Sequence, residues 1–149
     1  MTPKDIKEYI IENFEGVIPK SSWGETSFFY NPNKALPNGV YFCTIKEKDG
    51  DNDKASYLDR DNVFRFSIGI SKQSFQNLFN NKFKRPAKGD IIESSFNFKE
   101  LDLITPHPIY GWMNWICILN PTKESFDDIK DFLDESYGLA VEKFDKKIK

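Results

Sequence analysis

The sequence predicts an α+β fold: a two-layer arrangement in which one antiparallel sheet of about five strands carries helices on one face. Three observations lead there. Phe64, Phe66, Ile68 and Ile70 alternate with Arg65, Ser67 and Gly69, the period-two pattern of a strand. Near the C-terminal end, Phe126, Ile129, Phe132, Leu133, Tyr137, Ala140, Val141 and Phe144 recur at helical spacing, separated by Asp127, Asp128, Lys130, Asp131, Asp134 and Glu135. The order of segments is helix, three strands, helix, two strands, helix, which reads as a sheet with its first and last helices on the same side.

Each element has local support. Thr2 caps a first helix, with Pro3 at the first helical position and Asp5 in the first turn. Ile6, Tyr9, Ile10 and Phe14 form its apolar stripe, and Gly16 closes it. A short strand, Ser27–Tyr30, stops at Asn31-Pro32. The turn Pro37-Asn38-Gly39 leads into Val40–Lys46, which is apolar on both faces and therefore central. Residues 46–62 are polar and acidic and read as a solvated loop. Beyond the alternating strand, Ser71 caps a middle helix bearing Phe75, Leu78 and Phe79. The basic connector Lys82–Gly89 precedes a weaker strand near Ile91–Phe98, then a loop and the strand Trp115–Leu119. The closing helix starts near Thr122 or Ser125, and its stripe predicts that Phe132 is buried and Asp131 exposed.

At 149 residues the chain reads as one domain, 1–149, and fourteen phenylalanines supply a sizeable core. The net charge of −2, from 21 basic and 23 acidic residues, gives no global sign of a polyanion partner. Cys43 and Cys117 both lie in apolar, strand-like runs. With no signal-like N-terminus and no run near the ~20 apolar residues of a membrane span, they point to a cytoplasmic protein with reduced thiols.

The segment Pro106–Pro121 concentrates the chemistry. It holds the only histidine, two of three tryptophans, Tyr110 and three of eight prolines. A Pro-flanked turn running into an apolar strand holds rings in place, as a recognition pocket requires and as a packed core corner also does. The candidate ligand-binding set is Trp23, Arg65, His107, Tyr110, Trp112 and Trp115, which combines aromatic walls with fixed polar groups. Any Ser–His or Cys–His site has to use His107, but no nucleophile-elbow pattern accompanies it, and no catalytic residue is assigned. Arg65 either binds a carboxylate or phosphate, with Arg60, Asp59 and Tyr57 nearby, or pairs with an acidic side chain on a neighbouring strand.

Metal ligation has little support. Asp49, Asp51 and Asp53 open like a calcium loop, but Lys54 stands where glycine is required and Arg60 where glutamate is required. One histidine and two separated cysteines do not make a zinc site, and no cofactor is implied. Lys82, Lys84, Arg85 and Lys88 around Phe83 are either phosphate contacts or a solubilising connector. The first reading is a non-enzymatic module binding a small ligand or peptide. A nucleic-acid-binding regulator and a small enzyme centred on His107 are the alternatives.

Three segments resemble a known family. Trp23–Pro32, Ser56–Arg65 and His107–Trp112 are similar to bacterial domain-of-unknown-function family 6194, over nearly the whole chain. A looser resemblance, to the MmcQ/YjbR family, rests on Asn114-Trp115-Ile116 and Asp134-Glu135-Ser136-Tyr137. It implies a two-layer architecture also seen in secretion chaperones, and DNA binding has been suggested for it on fold grounds. Pro106-His107-Pro108 and Tyr110 depart from the looser family's pattern. Neither resemblance brings an established activity.

Overall fold

Thr2 and Asp5 open the first helix, α1 (Pro3–Asn13), with a capping box. The Thr2 hydroxyl accepts from the Asp5 amide at 3.2 Å, and the Asp5 carboxylate accepts from the Thr2 amide at 2.9 Å. The computed structural model describes residues 1–149. The chain then forms β1 (Val17–Ser22), β2 (Glu25–Tyr30), β3 (Val40–Lys46), β4 (Arg65–Gly69), α2 (Lys72–Phe79), β5 (Thr105–Pro106), β6 (Trp115–Leu119) and α3 (Lys123–Ile148). All six strands join one antiparallel sheet in the order β1-β2-β3-β4-β6-β5.

The expected α+β sheet is present, with differences at its edges. β1 has only two strong strand formers, Val17 and Ile18, before Pro19-Lys20-Ser21-Ser22. It exists because the Trp23-Gly24 turn, with φ of 54° and 77°, folds it back onto β2 as an edge strand, where proline is tolerated. Residues 91–98, expected as a weak strand, are irregular; Ile92 and Phe98 are nonetheless buried. The edge beside β6 is filled instead by the two-residue β5, whose Pro106 leaves no amide to extend the ladder.

A bulge in β3 aims one ring. Phe28 faces Cys43 and Phe29 faces Tyr41, so Phe42 is the extra residue. It turns towards the helices, where its ring meets Phe14 and Tyr137, and its carbonyl accepts from the Ser136 hydroxyl at 2.6 Å. α1 and α3 lie together on this side: Tyr9 meets Phe126 edge-on at 5.2 Å, and Phe126 lies 6.0 Å from Phe66 of β4. The main core gathers Ile6, Ile10, Phe28, Cys43, Ile45, Phe66, Ile68, Ile116, Ile118 and Leu133 between helices and sheet.

On α3 the buried line is Phe126, Ile129, Leu133, Ser136, Ala140 and Phe144. Phe132, expected at its centre, is only half-buried, because at 100° per residue it falls on the flank of that line. Asp131 is exposed, as its place between the apolar positions requires. Glu135 serves α2: its carboxylate accepts from the Ser71 amide and the Ser74 hydroxyl, both at 2.7 Å, at the N-terminus of that helix.

The other face of the sheet is covered by loops. The segment expected to be a solvated acidic loop buries Ser56 and Leu58, and Leu58 packs with Val63 and Leu119 in a second, small cluster. Its acids hold it together. Asp49 accepts from the Leu58 amide at 2.8 Å, and Asp59 accepts from the Asp49 amide at 2.9 Å.

Candidate functional site

Strand alternation sorts the polar residues onto the face away from the helices. Glu25 and Ser27 of β2, Thr44 and Lys46 of β3, Arg65 and Ser67 of β4, and Cys117 of β6 all project there, while their sequence neighbours project into the core. Antiparallel sheets commonly leave such a face to water. Here the loops enclose it: Arg65 is 1% exposed, His107 3% and Lys46 7%.

Arg65 anchors the acidic loop. Its two terminal nitrogens hold both oxygens of Asp53 in a forked pair, and one of them also donates to the Ser56 hydroxyl at 3.1 Å. Burial opposes the charge, but the Asp53 hydrogen bonds and charge outweigh it and raise the guanidinium above its ordinary range. The partner is on a loop, where the sequence suggested a neighbouring strand. The Arg65 Nε and the Ser67 hydroxyl, one strand repeat apart on this face, have no hydrogen-bond partner although both are fully buried.

His107 is fixed from one side only. Its Nδ1 accepts from the amides of Ile109 and Tyr110, each at 3.1 Å, which assigns the proton to Nε2. Its own amide donates to the Trp115 carbonyl at 2.9 Å, and its carbonyl accepts from Gly111 at 2.8 Å, so the Pro-flanked loop is tied to β6. Nε2 meets no acceptor in the protein. Burial first, then the charges of Arg65 and Lys46, push the imidazole well below its ordinary value of 6.5, and it is neutral.

That shift has a consequence for stability. The unfolded imidazole takes up a proton near pH 6.5, whereas the folded one resists it. The contribution of neutral His107 is therefore complete above that pH and declines as pH falls towards the folded value. Thermal melts from about pH 7.5 to about pH 5.5 should show this decline, and His107→Gln should flatten it. Equal slopes in both proteins would contradict the assignment.

Lys46 lies directly opposite Arg65 in the β3–β4 register and opposite Glu25 in the β2–β3 register. Its ammonium rests against Gly50, where a Cβ would come within 3.3 Å of Nζ. The chain's ion pairs are Lys4–Glu8, Arg65–Asp53 and Lys130–Asp127, so Lys46 enters none.

Above these groups opens a cleft of about 510 Å³, within the range of small-molecule sites. Glu25 and Lys46 form its floor, Asn52 and Asp53 one wall, Ile109, Tyr110 and Trp112 the other, and residues 85–90 the rim. The Ile92 amide donates to the Pro108 carbonyl at 2.8 Å and ties the rim to the His107 loop. Arg85 lies 5.1 Å over the Trp112 ring, and the Tyr110 ring is 5.0 Å from that of His107.

Of the sequence-suggested residues, the structure brings four together. Tyr110 and Trp112 line the cleft, His107 sits beneath Tyr110, and Arg65 lies behind Asp53. Trp115 points to the same face but stacks on Tyr41 at 5.4 Å and lies flat against Gly69, beside a different, smaller cavity. Trp23, 86% exposed at the β1–β2 turn, lines no part of the cleft. Arg60 donates to the carbonyls of Ser56, Tyr57 and Lys99 and borders a separate 570 Å³ cavity at the start of α1 and α3. The basic run is divided: Arg85 and Lys88 reach the cleft, Lys82 and Lys84 a neighbouring hollow. Sequence reading missed Lys46, Glu25 and Asp53. The signal for Lys46 was its place on the same strand face as Thr44.

A family model described as a family of unknown function, DUF6194, matches residues 1–149. The chain belongs to that family. No curated protein and no solved structure matches this DUF6194 chain, and the looser MmcQ/YjbR resemblance has no support in these comparisons. No helix is long and apolar enough to cross a membrane.

Proposed function

We propose that this DUF6194 chain is a non-enzymatic binding module that holds a small molecule in the cleft over the polar sheet face. The observation that carries this reading is the enclosed polar face itself, roofed by loops yet opening into a cavity of about 510 Å³ with exposed Tyr110 on its wall. A face that served only to pack loops would be cheaper to build from apolar side chains, since each buried polar group needs a partner. The walls on two sides and the rim at 85–90 favour a small molecule over an extended peptide.

Two features support binding rather than catalysis. His107 has one nitrogen committed to backbone amides, and burial pushes both Cys43 and Cys117 above the ordinary thiol range, away from the reactive thiolate. Those two cysteines, buried and unbridged, also fit a cytoplasmic setting.

Amide chemical-shift mapping with a mixture of small charged and neutral aromatic fragments tests the proposal. Shifts should cluster at 46, 52–53, 85–90 and 109–112. Fragments that perturb only other surfaces, or none, would refute it.

A further inference from the structure

Resting on the cleft as a binding site, we infer that its ligand is a small molecule carrying an oxyanion group, a phosphate or a carboxylate, seated on Lys46 with a ring against Tyr110. Three independent observations converge on this.

The first is an unanswered cation. Lys46 is 7% exposed, its open side borders the cleft, and no carboxylate closes an ion pair with it. A charge that is buried is ordinarily paired. Its cross-strand neighbour on the same face is Arg65, a second cation, and like charges directly opposite are destabilising. Asp53 places both oxygens on Arg65 and forms no ion pair with Lys46. Glu25, opposite Lys46 on the other side, forms no ion pair with it.

The second is a pair of unused donors buried behind the cleft, on side chains that do not line it. The Arg65 Nε has no acceptor and is fully buried. The His107 Nε2 proton, fixed by the two amides on Nδ1, has none either. Lying behind the lining, they add positive potential beneath the cleft rather than contacts to its occupant.

The third is the rim. Arg85 and Lys88 border the same cleft and enter no ion pair, which adds attraction for an anion at its mouth. Glu25, Asp53 and Asp90 also line it, and Asp53 is paired with Arg65, which leaves Lys46, Arg85 and Lys88 facing Glu25 and Asp90. Lys46 lies on the floor beside Glu25, and the ring of Tyr110, 47% exposed, stands on the wall next to His107.

Calorimetric titration of the full chain with phenyl phosphate, benzoate, benzyl alcohol and benzylamine tests the inference. One or both anions should bind at least about tenfold tighter than benzyl alcohol. The tighter of the two assigns the group as phosphate or carboxylate. Lys46→Gln should weaken the anions by roughly tenfold to a hundredfold and leave benzyl alcohol unchanged. Lys46→Arg, which keeps the charge, should retain the preference. Benzyl alcohol or benzylamine binding in the cleft as tightly as the anions, or anions indifferent to Lys46→Gln, would overturn the inference while leaving the cleft a binding site. If none of the four probes binds there, the binding reading itself fails.

Discussion

Asp53→Ala should destabilise the folded protein by about 3–5 kcal/mol, the cost of leaving a buried charge without its partner. Arg65 is the largest fully buried side chain, and Asp53 alone supplies its counter-charge. Removing that carboxylate leaves the guanidinium with one hydroxyl acceptor, Ser56, and an Nε that already has none. The loop over the polar face also loses its main tie to the sheet. Chemical denaturation measures the effect. The double variant Asp53→Ala with Arg65→Met should recover much of the loss, because a buried pair replaced by apolar groups is often nearly neutral. A loss below about 1 kcal/mol in the single variant would mean that the pair is screened like a surface bridge, contrary to its burial.

Phe126→Ala should cost a similar amount, about 3–5 kcal/mol, for a different reason. Phe126 is buried where α1, α3 and β4 meet, touching Tyr9 and Phe66, so truncation opens a cavity that no single element can collapse to fill. Phe132, on the flank of the same helix, should lose less, and exposed Asp131→Ala should stay within about 0.5 kcal/mol. Equal losses at Phe126 and Phe132 would contradict the burial line along α3.

Much of this architecture is written in local sequence. The alternation through Phe64–Ile70, the Thr2 and Ser71 caps and the apolar stripe after Thr122 each specify an element with little help from elsewhere. What escaped has a common cause. β1 is weak on its own and is held by its hairpin turn and by β2, so its signal is tertiary. The irregular 91–98 segment has apolar residues at strand-like positions, but the neighbouring edge is closed by Pro106, and its rings pack as a covering layer instead.

The candidate site divides along the same line. Tyr110, Trp112 and His107 were legible because Pro106, Pro108 and Gly111 make the loop rigid in any context. Trp115 was misleading because its neighbours there suggested proximity, whereas alternation and the bare surface of Gly69 draw its ring to the other end of the strand. Asp53 and Lys46 were hidden by distance in sequence. Nothing in an acidic loop announces which of its aspartates will reach a buried arginine 12 residues away.

Whether the enclosed polar face of the sheet holds a ligand is tested most directly by a crystal structure grown with phenyl phosphate and neutral aromatic fragments. Density is expected between Lys46, Tyr110, Trp112 and residues 85–90, with the charged end of any anion towards Lys46. Density confined to the cavity beside Thr2, Arg60 and Thr122, or to no cavity at all, would contradict it.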